Sequence, residues 1–234
     1  MDSYLMIRLE GPLQAWGDVA VDGRRATRAF PSRSALAGLI ASALGWTYRD
    51  GARTTALQDA MRFAVREDRR PTLMRDFQTA YLGRETQTWT WNGRANRGKG
   101  LAATDTTLME KSYLADGSFL VALGLDASAP VSLEEVAAAI EKPARPLFLG
   151  RKSCPPAVRL FEGRIESESP YAALCAWPMP APARLRCWYE PGDGPMQQTA
   201  QRVYDRRDFA NNRFVGSRML IEGLIASAEP EVLP

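Results

Sequence analysis

Arg24, Arg25, Arg28 and Arg33 lead into F-P-S-R-S without an intervening acid, and that segment continues as A-L-A-G-L-I-A-S-A-L-G. Guanidinium forks match phosphate oxygens in pairs, and a helix start offers unpaired N–H groups at the positive end of a dipole. Pro31 biases Phe30 toward extended angles. Ser32 stands where an N-cap accepts from an amide two or three residues on. Leu36, Leu39, Ile40, Ala43 and Leu44 then share one helical face, and Gly45 is placed to stop it. Candidate binding residues here are Arg24, Arg28, Pro31, Ser32, Arg33 and Ser34. The same residues also describe a capped core helix with a solvated basic approach.

A second group of donors is Gly150-Arg151-Lys152-Ser153, inside P-L-F-L-G-R-K-S-C-P-P. An apolar strand is expected to end at Gly150, where a missing Cβ permits close backbone approach. Arg151, Lys152 and Ser153 supply three donors in succession, and Pro155-Pro156 stiffen the exit. Cys154 is expected to be structural, since no histidine is present to act as its base.

Residues 81–111 form a third group, with no sustained helical or strand period. Arg84, Arg94, Arg97, Lys99 and Lys111 alternate there with Tyr81, Trp89, Trp91 and four glycines. Cations neutralise phosphates, aromatic faces stack on unpaired bases, and glycine lets backbone approach. A surface insertion with its tryptophans folded inward fits the composition equally well.

Composition limits the chemistry. The chain has 234 residues and no histidine, which excludes Ser-His and Cys-His nucleophiles, His-ligated metals and His-based acid–base cleavage of RNA. Three cysteines without C-x-x-C spacing signal neither a disulfide frame nor a zinc site, so no cofactor or metal is expected. Lys+Arg 30 against Asp+Glu 27 is nearly balanced, so charge placement matters more than the total. The N-terminal residues lack signal-peptide regions, and no apolar run approaches the roughly 18 residues of a membrane span. A cytoplasmic protein with no membrane contact is expected.

The elements that must position these groups follow from hydrophobic period. Strands are expected at 3–10, 62–67, 72–80 and 113–125, the last broken by a turn at Asp116-Gly117. Trp16, just past Gly11-Pro12, reads as a plug beneath its loop, and Gln14 as exposed. A short helix capped by Thr54 or Thr55 is expected through Met61. Ser132-Leu-Glu-Glu135 is a capping box for a helix ending before Pro143. Strands at 184–189, 197–204 and 213–221 follow a proline-rich stretch. The fold class is α+β, a ferredoxin-like (RRM-like) β-α-β-β-α-β unit.

Taken together, Y-L-M-I-R-L-E-G-P-L-Q-A-W-G, F-P-S-R-S-A-L-A-G-L-I-A-S-A-L-G, F-A-V-R-E-D, M-R-D-F-Q-T-A and P-L-F-L-G-R-K-S-C-P-P resemble one family. It is the CasD subunits of type I-E CRISPR Cascade, within the RAMP superfamily. R-R-D-F-A-N-N-R-F-V near the C-terminus is a weaker echo. The resemblance implies a palm over 1–165 with a thumb insertion at about 81–112, and a small β-rich segment, 166–234, packed on the palm. It implies a non-catalytic subunit that binds the 5′ handle of the CRISPR RNA. Its partners would be the adjacent backbone subunit, the Cascade large subunit and, indirectly, target DNA. Gln78, in D-F-Q-T-A, stands where relatives are expected to carry histidine, and joins the RNA-binding set with Arg84, Trp89, Arg94, Arg97, Lys99 and the Gly150–Ser153 donors. Two alternatives stay open: a metal-independent endoribonuclease using Tyr48, Lys99, Lys111 or Tyr113, and a purely structural subunit.

Overall fold

The computed structural model describes residues 1–18, 24–81, 88–89, 95–96, 106–180, 184–196 and 200–226. In chain order the elements are β1 (Asp2–Glu10), β2 (Leu13–Gln14), β3 (Arg24–Arg25), α1 (Arg33–Ala43), α2 (Gly51–Ala60), β4 (Met61–Arg69), β5 (Thr72–Tyr81), β6 (Thr88–Trp89) and β7 (Ala95–Asn96). Then come β8 (Thr106–Ala115), β9 (Ser118–Leu125), α3 (Leu133–Glu141), β10 (Phe161–Ser167), α4 (Pro170–Ala176), β11 (Arg184–Tyr189), β12 (Ala200–Asp208) and β13 (Arg213–Ala226). A turn of 3₁₀ helix at Tyr48–Asp50 precedes α2.

Seven strands form the main sheet in the order β10-β1-β9-β4-β11-β13-β12, every neighbouring pair antiparallel. Alternation along β1 divides its side chains between two cores. Leu5, Ile7 and Leu9 face α1 and α3, meeting Leu36, Ile40, Val136 and Ile140. Tyr4 and Met6 face the other way, where Ala173 and Leu174 of α4 cover the sheet. Strand β9 is central and apolar on both faces, so nearly all of S-F-L-V-A-L-G-L is buried. Burial of Leu36 and Ile40, at 2% and 1% exposure, contributes about 1.5–3 kcal/mol each.

The helix starts follow their caps. Ser32 Oγ accepts from Ala35 N at 3.3 Å and opens α1, and Gly45 ends it at φ +79°. Ser132 and Glu135 form the expected capping box of α3. Helix α2 begins earlier than expected, because the 3₁₀ turn capped by Thr47 and Asp50 runs directly into it at Gly51. Trp16 is a buried plug, 1% exposed.

Several expectations need correction. Gln14 is fully buried, its amide donating to the carbonyls of Leu9 and Gly117. No strand precedes Gly150; the backbone there closes a turn through Leu149 N to Cys154 O, 2.7 Å. Strand β10 and helix α4 lie where no element was expected. The C-terminal strands extend the main sheet, β11 pairing antiparallel with β4.

A second sheet carries an arm built on β5 and β8. Strands β5 and β8 pair over ten residues, from Thr72↔Ala115 to Tyr81↔Thr106, with β2 and β3 flanking β8. Residues 106–111, read as loop, are therefore strand. Beyond that ladder, β6 and β7 form a short pair, Trp89 opposite Ala95.

Candidate nucleic-acid interface

A cavity of about 410 Å³ opens between the start of α1, the loop after β2, the Gly150 turn and the tip of the β12–β13 hairpin. Ser32 and Ser34 line it from α1, Gly150 and Arg151 from the turn, and Arg207, Phe209 and Phe214 from the hairpin. Two motifs more than a hundred residues apart in the chain thus meet at one cleft. Trp16 also lines it, and its buried indole N–H has no acceptor among the described residues.

Close backbone contact makes the lower wall. Ala15 N donates to Leu149 O at 2.9 Å, and Gly150 sits at φ +96° with its missing Cβ only 1.7 Å from the Ala15 carbonyl oxygen. No other residue fits there without moving the chain. Ser32 Oγ fixes the opposite wall by donating to Trp16 O at 3.1 Å.

Charge is distributed differently from the expectation. Arg33 does not reach for solvent: its guanidinium donates to the carbonyls of Gln58 and Met61 and pairs with Glu190 at 2.5 Å. Its backbone N–H, at the start of α1, donates to Asp205 Oδ2 at 2.9 Å. Asp205 is fully buried and also pairs with Arg218 at 3.0 Å. The expected phosphate seat at the helix start is therefore filled by this chain's own carboxylate. Arg28 is likewise neutralised, by Asp18 at 2.9 Å, and also donates to Tyr204 O.

Arg151 and Arg207 keep uncompensated charge. Arg151 donates to the carbonyls of Ser112 and Arg25 and lies 4.6 Å over the Tyr113 ring. Arg207 bonds Asn212 and lies over Phe209 and Phe214, at 5.7 and 5.9 Å. Neither has a carboxylate partner among the described residues, so the cleft carries net positive charge. Arg207, Phe209 and Phe214 were missed as site residues; the basic-aromatic segment R-R-D-F-A-N-N-R-F-V was their only signal.

The remaining candidates separate. Pro31 is buried beside the cap. Arg24 and Lys152 are exposed and have no acidic partner among the described residues. Ser153 is exposed, its Oγ 3.5 Å from Tyr113 Oη. Gln78 lies on the arm with both amide ends engaged, donating to Asp76 and accepting from Lys111 Nζ at 2.7 Å. Arg84, Arg94, Arg97 and Lys99 lie outside the described residues, as does the Trp89 side chain. Burial pushes the Cys154 thiol upward, in keeping with a structural role. Among the described residues no cluster of acids and cysteines could hold a metal, and no helix is long and apolar enough to cross a membrane.

Two guanidinium groups without a carboxylate partner among the described residues, three serine hydroxyls and three phenyl rings around one cleft suit a ligand that is both anionic and aromatic, as a nucleotide is. The surrounding strand-rich α+β fold, its main sheet antiparallel throughout, defines the class. The family model described as CRISPR-associated protein (Cas_Cas5) matches residues 4–220, and the chain belongs to that family. It is 37% identical to the "CRISPR system Cascade subunit CasD" of Escherichia coli (strain K12) over 182 residues, 74% of this chain and 76% of that one. A chain of a "CRISPR RNA-guided surveillance complex" superposes with TM-score 0.71 at 25% identity, covering 98% of this chain and 95% of that chain. A second structure, "Crystal structure of Cas protein", gives 0.66 at 27%, covering 96% and 95%.

Proposed function

We propose that this protein is the CRISPR RNA-binding subunit of a type I-E Cascade, and that its cleft holds the 5′ handle of the RNA. The observation that carries this reading is the convergence of the α1 start and the Gly150 turn on one positive, aromatic-walled cavity, in a chain 37% identical to a Cascade subunit. Phosphates lie on Arg151, Lys152 and Arg207, while a splayed base enters between Trp16 and the Phe209–Phe214 wall. The order β10-β1-β9-β4, with α1 and α2 between β1 and β4 and α3 between β9 and β10, supports a ferredoxin-like palm. The β5–β8 ladder is the base of its thumb. The subunit caps the backbone of the complex beside the large subunit and reaches target DNA only through those partners. It works by binding alone: the chain has no histidine, and Lys111 is held by Gln78.

Binding of handle RNA to the purified chain, followed by fluorescence anisotropy across a salt series, tests this. The slope of log affinity against log salt should be about −0.7 for each phosphate held. Arg207→Ala should cost about 1.5–3 kcal/mol, the size of a charge-assisted contact, and lower that slope by about one phosphate. Affinity indifferent to both salt and Arg207→Ala would overturn the reading. Cleavage of repeat RNA by the purified chain in EDTA would overturn the non-catalytic part.

A further inference from the structure

The connection from α1 to α2 carries a second basic and aromatic surface. Tyr48 is 83% exposed, the most exposed aromatic side chain among the described residues. Arg49 lies beside it, its guanidinium 5.8 Å from the ring centroid and its Nε donating to Tyr48 Oη at 3.3 Å. Arg53 stacks over the half-buried Trp46 ring at 4.4 Å, and Arg145 donates to the Trp46 carbonyl.

The acid at this place is already spent. Asp50 accepts from Thr47 N at 2.7 Å and from Thr47 Oγ1 at 3.0 Å. Those bonds hold its carboxyl below the usual carboxylate range, with Arg53 and Arg145 adding to the effect. They also fix the loop, so Tyr48 is presented on a rigid turn. Asp50 leaves the first amides of α2 without a side-chain cap, which adds the positive end of a helix dipole. Arg49, Arg53 and Arg145 are exposed and form no ion pair among the described residues.

A lone surface tyrosine or arginine means nothing. Two arginine–aromatic contacts on a turn that its own capping box holds, with the Asp50 carboxylate engaged, make a cationic, aromatic surface. Bases stack on such faces whatever their identity, and phosphates meet the guanidinium edges. We infer that Trp46, Tyr48, Arg49, Arg53 and Arg145 form a second site for a single strand of nucleic acid, with Tyr48 stacking on a base and the arginines holding the flanking phosphates. The surface lies past the C-terminal end of α1, and none of its five residues lines the cleft, whose α1 wall runs from Ser32 to Ser42. It therefore takes a stretch of strand other than the one in the cleft.

Tyr48→Ala/Arg49→Ala tests the site, because both side chains are exposed and contact little beyond each other. Binding of fluorescein-labelled oligouridylate and oligothymidylate to the full chain should weaken roughly tenfold, the loss of one stacked base. The salt slope should fall by about 0.7 for the phosphate released. Photocrosslinking through 5-iodouridine or 5-iododeoxyuridine should map to Tyr48, and should do so in Phe214→Ala as well, which separates this surface from the cleft. Tighter binding of the ribo or the deoxy strand assigns RNA or DNA as the source. Unchanged affinity with no crosslink at Tyr48 would overturn the proposal. So would a variant that loses binding to oligoglutamate while retaining both oligonucleotides, since the surface would then serve an acidic protein.

Discussion

Asp205→Ala is expected to destabilise the protein by about 3–5 kcal/mol, the cost of removing one partner from a buried ion pair. The carboxylate is fully buried and serves two groups from distant parts of the chain. It accepts from the first amide of α1 and pairs with Arg218, which in turn shares Glu190 with Arg33. Its loss leaves a guanidinium that is only 12% exposed with Glu190 as its remaining carboxylate, already shared with Arg33, and leaves a helix-start amide unpaired. At about 2–4 °C per kcal/mol for a domain of this size, thermal melting should move down by roughly 10 °C. Asp205→Asn keeps an acceptor for the amide but not the charge, so it should lose less. Adding Arg218→Leu to Asp205→Ala should recover part of the loss, because the under-compensated guanidinium goes with it and leaves Glu190 to Arg33. A melting point within a degree of wild type for Asp205→Ala would show that the network does not tie the hairpin to α1.

Gly150→Ala should damage both stability and the cleft. At φ +96° an L side chain is strained, and the new methyl would sit 1.7 Å from the Ala15 carbonyl oxygen, inside any permissible contact. Backbone strain and forced repacking each cost about 1–3 kcal/mol, so a combined loss on the order of 3 kcal/mol is expected in urea unfolding. The turn can relieve the clash only by leaving the loop after β2, which widens the cleft between Ala15 and Arg151. Handle RNA affinity measured below the melting transition should therefore fall as well. Wild-type stability would mean the turn is free to move; lost stability with unchanged RNA affinity would mean that it does not shape the site.

Both predictions depend on residues whose importance was unevenly legible. Ser32, Gly45 and the Ser132–Glu135 box carry local signals, because capping is decided within four residues of chain. The α1 face and the inward side of β1 were readable for the same reason, since amphipathic period is a local property. Gly150 was readable as a close-approach point, though the strand expected before it is a turn held by Leu149 and Cys154. Strand β10 was obscured because its first six residues alternate between half-exposed and exposed and the buried seventh is Ser167, which leaves little apolar period to find.

The sequence by itself determined the chemistry on offer. Without histidine it excluded the commonest acid–base and nucleophile arrangements; it placed a capped helix start and a Gly-Arg-Lys-Ser turn, and it carried enough family pattern to bring out the CRISPR-associated character. Only the tertiary structure decided which arginines remain free to meet a ligand. Arg33 stands in the most suggestive sequence position, yet its partner Asp205 lies 172 residues away and takes the helix start before any phosphate can. Arg207, unremarkable in the sequence, reaches the cleft because the C-terminal strands extend the sheet and bring their hairpin over α1. An arginine's charge is available or spent according to which carboxylate the fold brings beside it, and that pairing is set by contacts far apart in the chain.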